Sequence, residues 1–403
     1  MKNFLRKMQG KMQKRPFFRN EYYENISARL GILQVVLYLS LFAFVILSFF
    51  QNTELITYRN FYRFFKDLNA SAESVFDRDY DSVSYPVGES QSFTLYRKGL
   101  AVAGNNAVTI FSSTGRQTVS QNISYQTPVA VGAGKYLLVY DLGGLQYSLY
   151  NSYTQIFSGS CEYPITGAAV SDSGSYAIVS SSETYTSVVS LYSEDFSLLN
   201  RYNKTGYVMD VSINAKGNGL AILTSTPDGG AFSTELMLCK PGEGKADAQI
   251  SLGDTMGWKC AFTADDCVAV LHEGGLVYYS SKGEKISAYS FVGSAPLAVD
   301  IGADGVALCM PSTKKNEKNV IIVFDKSGKM LYNESISEQP QQIARAGNSL
   351  YWITNDGVYR LSLKNGDVAF SACSVSQKKL LASSETEALL CSPQKAEYIT
   401  FTP

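Results

Sequence analysis

One histidine, His272, and two tryptophans, Trp258 and Trp352, in 403 residues remove several chemistries at once. A single imidazole cannot build a histidine-cluster metal site, and a serine–histidine–aspartate triad would have to use that one ring. No G-x-S-x-G nucleophile elbow accompanies it, so His272 reads as a strand-end or loop residue. The seven cysteines (161, 239, 260, 267, 309, 373, 391) show no metal-site spacing, and an odd number cannot all pair within one chain. Cys260 and Cys267 flank a turn, which leaves a disulfide between them open. Cys309 and Cys391 sit in apolar runs and read as small buried hydrophobes. Such thiol usage suits an extracytoplasmic space that is not strongly oxidising. Charged residues are only 18% of the chain and apolar ones 45%, enough for a sizeable core. Few uninterrupted helix-forming stretches follow residue 75, and 27 Tyr, 21 Phe and 32 Gly favour strands and tight turns.

The net charge of −1 hides an asymmetry. Residues 1–29 carry Lys2, Arg6, Lys7, Lys11, Lys14, Arg15, Arg19 and Arg29 against Glu21 and Glu24, which leaves 27 basic and 34 acidic residues beyond them. An acidic remainder excludes nucleic acid as an expected partner. Leu30 to Phe50 contains no charge. Twenty-one residues at about 1.5 Å each span about 31 Å, the thickness of a bilayer core. The fifteen Leu, Ile, Val and Phe among them contribute about −5 to −9 kcal/mol toward insertion. A cleavable signal peptide fits less well, because the run is full length and no small-x-small site follows at Phe49-Phe50-Gln51-Asn52-Thr53. The reading is a basic cytoplasmic tail (1–29), a transmembrane signal anchor (30–52) and the remainder outside, as the positive-inside rule requires. In residues 53–80, Phe61, Phe64, Phe65 and Leu68 share one helical face, which predicts an amphipathic juxtamembrane helix and linker.

From residue 81 the chain repeats one pattern: a short strand, a turn of small or acidic residues, an apolar strand, a loop, a third strand, a Gly turn and a weaker fourth strand. Copies start near 92, 126, 165, 207, 256, 295, 341 and 378, about 41 residues apart, which is the period of a β-propeller blade. The prediction is all-β, a propeller of eight blades over 81–403, with seven as the fallback. The eighth copy has only three strands, LLASS, EALLCS and AEYITFTP, and an unpaired candidate strand at 82–87 precedes the first. The two complete each other, because a ring must leave no open edge. The chain then enters on the face of the first-to-second and third-to-fourth strand turns. That face is expected to look toward the membrane, leaving the opposite face to bind.

Candidate catalytic groups are sparse. Asp210, Asp300 and the pair Asp265 and Asp266 are possible glycosidase carboxylates, though they fall in turns or at strand ends where blades use Asp structurally. SDSG at 171–174 matches part of a sialidase Asp-box without its closing tryptophan. Two tryptophans are too few for the one-per-blade pattern of quinone-cofactor propellers. Asp141-Leu142-Gly143-Gly144 and Pro227-Asp228-Gly229-Gly230 lack the lysine and the helix of a phosphate loop. No cofactor or metal is expected. Binding is expected in the second-to-third strand loops, of which Thr224–Ser233 and Pro311–Asn319 are the longest polar ones. The candidate binding residues are Asp228, Lys314, Lys315, Asn316, His272 and Glu273.

Thr127–Tyr150 (TPVAVGAGKYLLVYDLGGLQYSLY), Ile165–Ser193 and Tyr207–Leu223 resemble a domain-of-unknown-function family of membrane-anchored, WD40- or quinoprotein-like propellers from Gram-positive anaerobic bacteria. The resemblance covers most of the chain, and LLVYDLGG and GSYAIVSSSETY are its most specific stretches. It implies bacterial origin, a cytoplasmic N-terminus and a propeller, and it carries over no catalytic residue. The expected function is a protein-binding or scaffold module at the cell envelope, with wall glycan as a second partner class. An envelope hydrolase or lyase working in the propeller channel is the alternative, and an assembly factor for a secretion or wall-building complex is a third reading.

Overall fold

The computed structural model describes residues 33–42, 81–242, 246–312, 319–373 and 379–402. The chain divides into two compact units, residues 1–70 and 71–403. In the first, residues 33–42 form a helix, α1, whose Leu33, Val35, Val36, Leu37, Leu39, Leu41 and Phe42 are all exposed. No helix among the described residues is long and apolar enough to cross a membrane. The rest of the predicted tail, anchor and juxtamembrane helix lies outside the described residues.

Among the described residues the second unit holds thirty-two strands in eight four-stranded antiparallel sheets. Seven sheets are consecutive in sequence. Their innermost strands are β2 (Gln91–Tyr96), β6 (Pro128–Ala133), β10 (Ile165–Val170), β14 (Tyr207–Ile213), β18 (Gly257–Phe262), β22 (Ala298–Gly302) and β26 (Gln342–Ala346). The eighth sheet has the order β1-β32-β31-β30. Here β30 (Lys379–Ala382), β31 (Glu387–Cys391) and β32 (Lys395–Thr400) come after the seventh blade and β1 (Ser82–Ser84) from just before the first. The register Ser82↔Glu397, Val83↔Ala396, Ser84↔Lys395 is antiparallel. The predicted closure is therefore present, and eight blades is the correct count. Since β1 runs antiparallel to β32, the chain enters from the face of the first-to-second and third-to-fourth strand turns.

The second strand of each blade reads as a continuous apolar run because a neighbouring blade covers each of its faces. Examples are β7 (Tyr136–Asp141), β19 (Val268–His272), β23 (Gly305–Pro311) and β31. The fourth strands are covered on one face only and alternate: β17 (Ala246–Gly253) buries Ala248, Ile250 and Leu252 in part and exposes the residues between. The buried side chains fall into eight clusters, and each cluster straddles two blades. One joins blades 8 and 1 through Val83, Tyr85, Phe93, Leu100, Leu389 and Cys391. Each fully buried leucine or valine contributes about 1.5–3 kcal/mol, so hydrophobic stability resides between blades rather than within them. Cys309 and Cys391 are fully buried, as their apolar runs predicted. Cys260 and Cys267 are free thiols, so the disulfide left open for them does not form.

The predicted turns recur in place. Glycines 115, 283, 328 and 366 close the third-to-fourth strand turns with φ of 82°, 86°, 84° and 78°. This left-handed region carries a steric cost for residues with a Cβ, which explains the repeated Gly. One expectation needs correction. Thr224–Ser233 is not a loop: β15 (Leu220–Asp228) and β16 (Ala231–Cys239) stay paired out to Asp228↔Ala231. Gly229 and Gly230, at φ 55° and 97°, form the two-residue turn. Asp-Gly-Gly suits that turn, so the polar stretch continues as a hairpin ribbon.

The innermost strands leave backbone N–H groups unpaired along the channel, and side chains of the preceding blade accept several of them. Ser92 Oγ accepts from Ala130 N at 3.1 Å, Ser212 Oγ from Phe262 N at 3.0 Å and Gln342 Oε1 from Leu380 N at 3.0 Å. Asp210 Oδ2 accepts from Cys260 N at 3.0 Å and Asp300 Oδ2 from Arg345 N at 2.7 Å.

Two predictions follow from closure and latching. Val83→Asp places a charge in the blade 8–blade 1 core, where Val83 is 5% exposed, and is expected to cost roughly 3 kcal/mol or more. Ser84→Asp, on the exposed face of the same strand, should leave the thermal midpoint unchanged. Equal midpoints for both variants would show that β1 does not close the ring. Asp300→Asn keeps an acceptor for Arg345 N, whereas Asp300→Leu removes it and should destabilise by about 1–3 kcal/mol. Denaturant midpoints test this, and a leucine variant as stable as the asparagine one refutes the latch.

Candidate functional site

Strand alternation assigns every second connection to one face. The face opposite the chain entry carries the second-to-third strand turns and the blade-to-blade connections, and on blades 2 to 5 these link into a continuous rim. Leu145 O accepts from Cys161 N, and Gly144 O from Ile165 N, both at 2.8 Å. Pro164 O accepts from Ser181 N at 3.0 Å, and Thr205 O from the Thr186 hydroxyl at 2.6 Å. The Thr234 hydroxyl donates to Thr255 O. Met256 O accepts from Glu273 N at 2.9 Å, and Gly274 O from Phe291 N at 3.0 Å. Each connection is held by the next, which makes this a preformed surface.

The rim exposes large apolar side chains. Leu142 and Leu145 belong to blade 2, Tyr185 to blade 3, Tyr207 and Phe232 to blade 4, and Val292, 79% exposed, to the connection leaving blade 5. Phe232 pairs with Pro227 across the ribbon. Their side chains share the face on which the Ser225 and Thr234 hydroxyls meet Gly257 N of blade 5. The ribbon is thus an apolar projection beside the blade 5 turn. Isolated exposed leucines are ordinary, but here six large apolar groups are exposed on loops that are linked to one another.

Three of the predicted binding residues lie on this face. Asp228 is exposed at the ribbon tip. His272 ends β19, and its Nδ1 accepts from Gly274 N at 3.1 Å. Burial, with the Lys285 charge second, lowers the His272 pKa below its ordinary value, so the ring is neutral at pH 7. Glu273 is exposed in the adjoining turn. Lys314, Lys315 and Asn316 lie outside the described residues. Sequence reasoning missed Glu162, Glu183, Asp254 and the apolar groups. The parity of the connections, one face for every second turn, was the signal that finds them.

The candidate carboxylates are engaged elsewhere. Asp210 and Asp300 latch adjacent inner strands, and burial raises both carboxyls above the ordinary range against the pull of those N–H donors. Asp265 pairs with Lys326 at 3.0 Å and Asp266 with Lys216 at 2.9 Å, on the entry face. A cavity of about 620 Å³ opens on that face between blades 4 and 5, lined by Asn214, Asn218, Lys240, Asp247, Phe262 and Lys282. Its polar groups largely satisfy one another: Asn214 donates to Asn218 and Asp266, and Asp247 pairs with Lys240. The distal rim is the stronger candidate.

The chain matches the family described as "Family of unknown function (DUF5711)" over residues 78–401, and it belongs to that family. No curated protein matches it. Among solved structures it is similar to Sqt1 of Chaetomium thermophilum bound to the N-terminus of the ribosomal protein L10. Identity is 12%, coverage 80% of this chain and 100% of that one, and the TM-score 0.54. It is also similar to the Pan2 WD40 domain of Neurospora crassa, at 10% identity, 69% and 90% coverage and a TM-score of 0.46. At such identities the likeness to Sqt1 shows the propeller fold alone.

Proposed function

We propose that this DUF5711 member is a non-catalytic protein-binding module, anchored in the cell membrane by residues 30–52, that engages its partner with the distal rim of blades 2 to 5. The observation that carries the binding reading is the linked set of exposed apolar side chains from Leu142 to Val292 on a rigid ring. The fold supports it by analogy, since the similar Sqt1 structure holds a protein segment. The inner-strand carboxylates support it too, because both already serve as backbone acceptors.

The anchor reading draws on α1. Its apolar side chains are exposed, and its polar groups bond within the helix, Ser40 Oγ to Leu37 O at 2.9 Å and Gln34 Nε2 to Tyr38 OH at 3.4 Å. Self-satisfied polar groups are what a lipid environment demands. The chain enters the ring on the face away from the rim, which leaves the rim accessible to a partner.

Two experiments test these readings. A photo-crosslinking residue at Phe232 or Tyr185 in intact cells is expected to give a discrete protein adduct, while one at Lys98 on the entry face gives none. Adducts from the entry face alone, or turnover of an envelope glycan by the purified protein, would overturn the binding reading. The chain is expected in the membrane fraction after an alkaline wash, with its propeller exposed to external protease. Release of the intact chain by the wash would refute the anchor.

A further inference from the structure

We infer that the distal rim of blades 2 to 5 is a docking surface for an extended basic segment of a partner protein, in which Lys or Arg alternates with apolar residues. This rests on the protein-binding reading and names the chemistry of the partner. Glu162, Glu183, Asp228, Asp254 and Glu273 are all exposed on this rim. The connections 142–145, 161–164, 181–186, 205–206, 229–230, 254–256 and 273–274 contain no Lys or Arg. Among the described residues none of the five carboxylates is in an ion pair. Of the cations at the distal strand ends, Lys204 is already bound to Glu235 at 3.3 Å and to Met237 Sδ at 3.2 Å, and Lys259 of β18 acts on the buried carboxylates Asp210 and Asp300.

The entry face differs. It carries basic residues in its turns, such as Arg97, Lys98, Lys135 and Lys282, and three of its acids pair with lysines across blades, in Asp265–Lys326, Asp266–Lys216 and Glu385–Lys364. The rim sets five acids without an ion-pair partner among the described residues on the same face as apolar groups, and that combination repels nucleic acid, anionic lipid and phosphate-rich wall polymer. A metal ion is a poor occupant, because each rim acid stands on its own connection and no three converge among the described residues. Charge spread over four blades, interleaved with Leu145, Tyr185 and Phe232, suits a ligand that is itself extended, with several cations and apolar side chains between them. The ribbon adds a directional element. Pro227 and Phe232 offer an apolar face, and Asp228 sits at its tip beside Gly229 and Gly230, which have open space around them.

The test uses residues 71–403, a compact unit that contains all eight sheets and all eight shared cores. The probes are two synthetic peptides of about twelve residues, one alternating Lys with Leu and one alternating Glu with Leu. The Lys peptide is expected to bind saturably, and about tenfold more weakly when salt rises from about 0.05 M to about 0.3 M. The triple variant E183K/D228K/E273K is expected to lose at least about tenfold in affinity. Because the three residues are exposed, its thermal midpoint should match the parent's. Binding of the Lys peptide that survives the triple reversal, absence of binding, or equal binding of the Glu peptide overturns the inference. The crosslink from Phe232 separates the two levels. An adduct that persists in the triple variant removes the basic partner and leaves the protein-binding reading standing, whereas a parent chain that yields no adduct removes both.

Discussion

Among the described residues no blade of this propeller has a core of its own. Every hydrophobic cluster lies between two blades, so an open ring would leave two half-cores facing water. Closure is therefore the constraint on which the remainder depends, and a three-residue strand from just before the first blade supplies it. Val83 and Tyr85 enter the cluster that joins the last blade to the first, and Tyr85 OH also donates to Ser392 O at 2.7 Å. The alternative, an eighth sheet of three strands, would expose β32 as an edge and uncover part of that core.

Closure also explains the polar chemistry of the inner strands. A ring brings eight edge strands together around a channel, each with N–H groups that its own sheet cannot satisfy. Side chains from the preceding blade accept several of them. At two positions the acceptor is a carboxylate, Asp210 or Asp300, held partly against its tendency to take up a proton on burial. These residues resemble catalytic acids by type and burial, yet their hydrogen bonds place them in the assembly of the ring.

A closed ring has two faces, and here they differ in charge economy. On the entry face three carboxylates pair with lysines across blades. On the distal rim of blades 2 to 5 the acids stand beside exposed leucine, tyrosine, phenylalanine and valine. Interfaces draw affinity from such apolar anchors and selectivity from unsatisfied charge around them. The backbone bonds that run from connection to connection hold both in place, so binding there need not first order a set of loops.

Much of the fold was legible in the sequence, because its determinants are local. Strand period, Gly turns at fixed offsets and the three-strand final copy each report a short-range property, and together they gave the blade count and the closing strand. Gly229 and Gly230 show the limit: the same stretch reads as a polar loop until the pairing of Pro227 with Phe232 is known. The candidate site was legible only in fragments. Asp228, His272 and Glu273 stood out for local reasons, whereas Glu162, Glu183 and Asp254 are unremarkable where they stand in the chain. By itself the sequence determined the repeat, the apolar second strands and the charge of each connection. Only the tertiary structure decided which connections touch, because ring closure sets residues from separate blades side by side, and it is that adjacency which turns scattered acids and leucines into one surface.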